Sequence, residues 1–212
     1  MGVLGGTGLG KNHPGTADSQ AVRRLPGTVR VGGRDVRDYD LRALRDAVGS
    51  CCEKNVLFSG TIRENLLWGN PEADDDTLWE ACRKARADEF IERLPKGMDT
   101  DLGQGGVNVS GGQKQRLCIA RTLLKKPKVL IFDDSTSAVD TATEGEIREA
   151  LANLTDVTKI IIAQRITSVM DTDQIIILDD GRIHGTGTHR ELLEKDSIYQ
   201  EIYASQMKGE KD

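Results

Sequence analysis

The stretch Asn108–Asp140, N-V-S-G-G-Q-K-Q-R-L-C-I-A-R-T-L-L-K-K-P-K-V-L-I-F-D-D-S-T-S-A-V-D, couples a glycine-rich turn to an acidic strand end. It opens with Val109-Ser110-Gly111-Gly112-Gln113, which leads into a helix; Ser110 with Gln113 three residues on fits an S-x-x-Q capping box. The adjacent Gly111 and Gly112 leave the amides of the turn unshielded, so a helix N-terminus faces outward with room for an anion. The second half is an apolar run, Val129-Leu130-Ile131-Phe132, that delivers Asp133 and Asp134. It predicts a buried strand ending in two carboxylates, a common way to hold hydrated Mg²⁺ beside phosphates. Either half alone reads equally well as a capped helix or a core strand with an acidic end. Together, in this order and spacing, they are a poor match to chance.

The bulk properties narrow the field. A chain of 212 residues fits one domain with a substantial core, or one domain with a subdomain. Lys+Arg 29 against Asp+Glu 34 gives a net charge of −5, with no basic run, so no nucleic-acid partner is expected. Mean hydropathy is −0.43, and apolar runs such as Ile160-Ile161-Ile162-Ala163 are too short to span a bilayer. No signal peptide is read at the start, where Met1 leads into a glycine loop. Cys51, Cys52, Cys82 and Cys118 lack C-x-x-C spacing, which argues for reduced thiols over a zinc site or disulfide framework.

Upstream, Gly5-Gly6-Thr7-Gly8-Leu9-Gly10-Lys11 matches the first seven positions of a P-loop, G-x-x-x-x-G-K. Such a loop wraps backbone amides around phosphates while its lysine reaches the β and γ oxygens. The eighth position should be a Ser or Thr for Mg²⁺, but Asn12 stands there. The segment after it, framed by Pro14, Gly15 and Pro26, has no apolar stripe of helical period.

These motifs resemble those of ABC-type ATPases: P-loop, signature (Ser110 to Gln113), Walker B (through Asp133) and D-loop (Ser137-Ala138-Val139-Asp140). The resemblance runs from Val3 to about Gln206 and is nearest to the nucleotide-binding domains of ABC exporters. It implies an α/β fold of the P-loop NTPase kind: a mostly parallel sheet flanked by helices, an inserted helical subdomain and a small antiparallel hairpin. Residues 1–212 would form a single ATP-binding domain, incomplete at its N-terminus. Residues 59–125 would be the helical subdomain carrying the signature, inserted in a RecA-like core of residues 1–58 and 126–212.

The resemblance also implies ATP and Mg²⁺ as cofactors. Gly5, Gly6, Thr7, Gly8, Gly10, Lys11 and Asn12 would bind the nucleotide phosphates of this chain's own site. Ser110, Gly111, Gly112 and Gln113 would contact nucleotide on a partner domain, since ABC domains pair head to tail. Asp133 would serve the metal, and Asp134 takes the place of the usual glutamate base. Glu53, within Gly49–Phe58, occupies the position of the Q-loop glutamine and would touch the metal and its water. Gln164 stands where the family has a histidine that contacts the γ-phosphate.

Three of these departures weaken one site. Aspartate is one methylene shorter than glutamate, and a misplacement of about 1 Å can cost on the order of 10²-fold. Gln164 donates a hydrogen bond but cannot carry histidine's charge, and Asn12 anchors metal less well than a hydroxyl. An intact signature beside a degenerate own site is the pattern of one half of a heterodimeric exporter. It implies a second nucleotide-binding domain and a transmembrane domain as partners, on the cytoplasmic side of the plasma membrane. Two alternatives stand beside it, a vestigial or regulatory module that does not hydrolyse nucleotide and a soluble ABC ATPase of the DNA-repair type. Residues 49–104 lack the heptads that the last would need.

The region from Lys11 to Gly27 has the family's length but not its residues. Read one base out of frame with permitted codons, Asn12–Gly27 spells T-T-L-V-Q-L-I-P-R-L-Y-D-A-S-R-G, which restores G-K-T-T and an amphipathic helix. A compensated frameshift is the resulting hypothesis, and resequencing the DNA across the segment tests it: no alternative frame, no frameshift.

Elsewhere, Thr28–Val36 predicts a hairpin around Gly32-Gly33, and Leu41–Ala47 a short helix. Ser59 to Met98 is helix-rich, with Leu78, Ala81, Cys82 and Ala85 at helical spacing. Trp68 and Trp79 read as core or interface anchors. Thr100–Gly106 sits where the resemblance places the exporters' cross-linking loop just before the signature, with a flexible glycine linker as the other reading. Strands are expected at Thr158–Ala163, Ile175–Leu178 and around Arg182-Ile183, and helices over Thr188–Glu194 and Ile198–Gln206. His184 and His189 read as surface residues.

Overall fold

The computed structural model describes residues 1–5, 27–51, 56–134 and 141–208. The first strand, β1 (Gly2–Gly5), was not separable in sequence from the glycine loop that follows it. Next come β2 (Arg30–Val31) and β3 (Arg34–Asp35), an antiparallel pair closed by Gly32 and Gly33. Both turn glycines have positive φ (57° and 80°), as a two-residue hairpin turn requires. The helix α1 (Leu41–Ala47) starts at Asp40, whose carboxylate accepts from the Arg42 and Ala43 amides, and runs into β4 (Val48–Cys51).

A helical stretch follows: α2 (Ile62–Leu67), α3 (Asp75–Lys84), α4 (Asp88–Glu92) and α5 (Gly111–Leu123). The spacing predicted for α3 is met, since Leu78, Ala81, Cys82 and Ala85 are all buried. The chain then gives β5 (Val129–Asp134), α6 (Thr141–Ala152) and β6 (Thr158–Ala163). Last come β7 (Ile175–Asp179), β8 (Arg182–Gly187), α7 (His189–Lys195) and α8 (Ser197–Lys208).

The larger sheet has the order β4-β5-β6-β1-β7-β8. Every pair is parallel except β7–β8, which turns through Asp180 and Gly181 at positive φ. The expected mixed α/β architecture, a mostly parallel sheet with helices, is therefore present. Parallel strands buried on both faces carry continuous apolar runs rather than alternation, which is why Ile160–Ile162 and Ile175–Ile177 read as strands from sequence.

Strand register assigns the faces. On one, Leu130 and Phe132 of β5 join Leu117, Ile119 and Leu124 of the α5 region, with Ile62, Leu66, Leu78 and Ile91 beyond them, in one cluster. Farther along the sheet, Leu4, Ala163, Ile175 and Ile177 pack with Ile166, Val169, Leu192 and Tyr199. The other face holds Val3, Ile131 and Ile162. Each fully buried Leu or Ile in these clusters stabilises by about 1.5–3 kcal/mol relative to exposure. The α5 helix reaches the sheet because Gly49 has no side chain: a Cβ there would lie 2.6 Å from Thr122 Cγ2 and 3.2 Å from Pro127.

The glycine run 103–106 is tied down rather than free. The Leu102 amide donates to the Gly60 carbonyl (2.9 Å), the Gly103 amide to Asp101 Oδ1 (2.6 Å), and Asn108 Nδ2 to the Asp101 carbonyl (3.1 Å). Gly103, Gly105 and Gly106 all take positive φ, which gives the glycines a conformational reason. No helix among the described residues is long and apolar enough to cross a membrane.

Candidate functional site

Parallel strands end together, and here the ends collect the sequence's acidic and glycine-rich positions. Asp134 pairs with Ala163, and Ala163 with Leu4, so the last residues of β5 and β6 lie in one row with the residue before the end of β1. Neighbouring strands are about 4.8 Å apart, which puts position 134 roughly 10 Å from position 4 across the sheet. Gly5 and Gln164 come one step later at the same edge, and Cys51, the end of β4, flanks β5 there. The edge is thus where a loop leaving β1 and carboxylates leaving β5 can reach one ligand, as ligands do at the carboxyl ends of strands in open α/β sheets.

Asp133, half-buried, belongs to the face of Val3 and Ile162, and Asp134 ends β5 opposite Ala163. Gln164 is exposed just past β6. Of the P-loop residues, Gly5 ends β1, while Gly6, Thr7, Gly8, Gly10, Lys11 and Asn12 lie outside the described residues. Glu53 and the D-loop residues Ser137–Asp140 lie outside them as well.

The signature positions are resolved in detail. Ser110 Oγ accepts from the Gln113 amide (3.3 Å), and Gln113 Oε1 accepts from the Ser110 amide (3.0 Å), completing the capping box predicted from sequence. Ser110 and Gly111 are exposed and Gly112 is buried. The turn is therefore preformed, with α5 of 13 residues directing its positive end outward from it.

The signature stands apart from the strand edge. The Cys51 Sγ is 3.4 Å from Thr122 Oγ1 and 4.0 Å from the Cys118 carbonyl oxygen. Ser110 precedes Cys118 by eight residues, about 12 Å of helix at 1.5 Å per residue. Cys51 is level with Phe132, about 7 Å before Asp134, so the α5 N-terminus lies past the strand ends on the face of the sheet that α5 covers. Among the described residues, the strand edge and the tip of α5 are thus two separate surfaces.

No group of three or more His, Cys, Asp or Glu side chains able to hold a metal occurs among the described residues. A half-buried Asp133 at the strand edge fits a cation that keeps most of its waters and takes the remainder of its ligands from phosphates, as Mg²⁺ does.

Sequence reasoning missed two features close to these surfaces. Phe58 and Trp68 stack with ring centroids 4.8 Å apart and remain 44% and 65% exposed; Trp68 is no core anchor. The Arg121 guanidinium lies 5.7 Å from the Phe58 ring and donates to the Val56 carbonyl (2.9 Å), which carries the pair onto α5. Trp79, by contrast, packs against the main cluster. The second feature is Gln206, whose side chain bonds to the backbone at Gln164 and Ile166. No local pattern links positions 42 apart.

The chain is similar to known proteins over almost its full length. The uncharacterized ABC transporter ATP-binding protein YfiB of Bacillus subtilis (strain 168) is 43% identical over 204 residues, covering 96% of this chain and 35% of that protein. A second uncharacterized ABC transporter ATP-binding protein of the same strain, YknU, is 41% identical over 212 residues, 100% of this chain and 36% of that one. Among solved structures, that of a bacterial Atm1-family ABC exporter with ATP bound superposes with a TM-score of 0.86 at 36% identity, covering 97% of this chain and 36% of that chain. The chain thus spans about a third of the length of these relatives. The profile of the family described as ABC transporter matches residues 1–137, more than half of the chain. With the strand-edge row and the preformed signature turn, that match means that this chain belongs to the ABC transporter family.

Proposed function

We propose that this chain is the ATP-binding part of an ABC exporter and works as one half of a pair of nucleotide-binding domains. The observation that carries this is the separation of its two surfaces, with the signature tip of α5 projecting beyond the edge at Gly5, Asp133, Asp134 and Gln164. A single chain cannot bring both to one nucleotide, whereas two chains head to tail bring each signature to the other's edge.

In its own site, Gly5, Gly6, Thr7, Gly8, Gly10 and Lys11 hold the phosphates, with Asn12 at the metal-anchoring position. Asp133 and Glu53 would hold the Mg²⁺, which would neutralise charge on the phosphate oxygens. Asp134 takes the proton of the attacking water, and Gln164 donates to the γ-phosphate. With Asp134, Gln164 and Asn12 all departing from the stronger residue types, this site binds ATP and hydrolyses it slowly. The partner's site receives Ser110, Gly111, Gly112 and Gln113, all intact.

Residues 59–125 act as the helical subdomain and residues 1–58 with 126–212 as the core. The exposed Phe58–Trp68 stack, set on α5 by Arg121, is the surface on which the membrane part of the exporter would rest, placing the chain on the cytoplasmic side of the membrane. The Atm1-family structure, an exporter, supports the export reading. A non-hydrolysing nucleotide-binding module is the second reading, favoured by Pro14, Gly15 and Pro26 after Lys11.

The test is ATP hydrolysis by the purified chain alone and mixed with a second ABC domain carrying glutamate and histidine at the positions of Asp134 and Gln164. The chain alone is expected to be nearly inactive, and the mixture active and sensitive to Ser110→Ala. Substantial hydrolysis by the lone chain overturns the degenerate-site half of the reading. An inactive mixture in which ATP still binds favours the non-hydrolysing module.

A further inference from the structure

The end of β6 is held from an unexpected direction. Gln206, in the last turns of α8, donates from Nε2 to the Gln164 carbonyl (2.9 Å) and accepts through Oε1 from the Ile166 amide (2.8 Å). Only one orientation of the amide satisfies both, since a carbonyl needs a donor and an N–H an acceptor. Gln164 lies past Ala163, the last residue of β6, and Gln206 bonds its carbonyl from α8. Two residues on, Ile166 anchors the segment, fully buried with Val169, Ile175 and Tyr199.

Gln206 can do this because α8 is itself fixed at its other end. Tyr199, fully buried, places its hydroxyl 2.7 Å from His189 Nδ1 on α7, and its amide donates to Asp196 Oδ1 (2.9 Å). The other oxygen of Asp196 lies 3.5 Å from His184 Nε2 on β8. Tyr199, Tyr203 and Gln206 follow one another at i, i+4 and i+7, one face of a helix; Tyr203 also lies against the His189 ring, 5.6 Å between centroids. The helix is pinned to β8 and α7 at its start and grips the end of β6 near its finish.

We propose that Gln206 is a positioning residue: by clamping the backbone at Gln164 and Ile166 it holds Gln164 at the strand edge beside Asp134, making α8 a working part of the nucleotide site. This rests on the ATPase reading above. Because both bonds go to backbone, the clamp acts whatever side chain stands at 164.

The test uses the full 212-residue chain. Amide hydrogen exchange should show Ile166 exchanging about 5- to 30-fold faster in Gln206→Ala, the effect of losing one or two hydrogen bonds, with β5 and α5 amides unchanged. Gln206→Glu keeps the acceptor for Ile166 and should keep its protection, while losing the donor to Gln164. In a mixture whose partner domain carries glutamine in place of its own catalytic glutamate, so that the residual turnover belongs to this chain's site, Gln206→Ala should lower kcat for ATP by about tenfold with KM unchanged. A merely structural role would instead lower Tm and speed exchange throughout.

Unchanged exchange at Ile166 in Gln206→Ala overturns the clamp, whether or not the chain handles ATP. Faster exchange at Ile166 with unaltered kcat overturns the positioning role. If the wild-type mixture hydrolyses no ATP, the ATPase reading fails and takes the positioning role with it, while the exchange result still decides the clamp.

Discussion

Ser110 is asked to do two things, and substitutions can separate them. As an N-cap its hydroxyl accepts from the Gln113 amide at 3.3 Å, reciprocated by Gln113 Oε1 on the Ser110 amide at 3.0 Å. Loss of a serine cap costs about 0.5–2 kcal/mol. With an exposed side chain and a long bond, the lower half of that range applies, about 1 kcal/mol for Ser110→Ala. In a domain of this size that lowers Tm by about 2–4 °C. Aspartate caps as well as serine and its charge suits a helix N-terminus, so Ser110→Asp should leave Tm within about 1 °C of wild type.

Activity should not follow stability. In the proposed pair, Ser110 faces a nucleotide triphosphate, and removing one donor to a developing anion costs about 10²–10³ in rate. A carboxylate in its place repels the same phosphates, so Ser110→Asp should fall at least as far as Ser110→Ala. The assay is thermal unfolding by circular dichroism beside phosphate release from the mixed domains, on the same preparations. If Ser110→Asp restores both Tm and hydrolysis, Ser110 is a helix cap and nothing more.

Three further outcomes follow from named contacts. A Cβ on Gly69 would lie 2.1 Å from the Arg121 carbonyl oxygen and 3.0 Å from Leu124 Cβ; Gly69→Ala should cost at least the roughly 1–3 kcal/mol of overpacking, read as a lower urea midpoint. Burial pushes the Cys82 thiol up from 9.0 to about 12. The unfolded chain therefore gives up this proton above pH 9 while the folded one keeps it, so the contribution is complete below pH 9 and lost as pH rises toward 12. At pH 11 the loss is about 2–3 kcal/mol, and Cys82→Ala should decline correspondingly less between pH 8 and 11 in urea titrations; equal declines refute it. Asp134→Glu should raise hydrolysis at this chain's own site by up to about 10²-fold if the short carboxylate is what limits it, and no gain in phosphate release would move the limit to Asn12 or Gln164.

Much of the local structure was legible because its causes are local. The capping box at Ser110 and Gln113 is written in residue types three positions apart. Gly32-Gly33 and Asp180-Gly181 announce their turns through the positive φ they supply or tolerate. Strands β1 and β4 were not legible. Each is four residues long, and Gly-Val-Leu-Gly or Val-Gly-Ser-Cys has neither length nor period to distinguish it from a loop. Over Thr100–Gly106 a flexible linker stood open as an alternative because the restraints come from Gly60, Asp101 and Asn108, not from the glycines.

By itself, then, the sequence of Asn108–Asp140 determined a capped helix open to an anion, an acidic strand end and the order in which they come. Those depend on neighbours along the chain, where capping, turn conformation and apolar runs act. Tertiary structure alone decided that β1 lies between β6 and β7, which brings position 4 into line with 163 and 134. It also set the signature apart from that edge and brought Gln206 to the end of β6. The reason is physical: strand order and helix docking are settled by which apolar faces fit together, among residues tens of positions apart, and no local spacing encodes that fit.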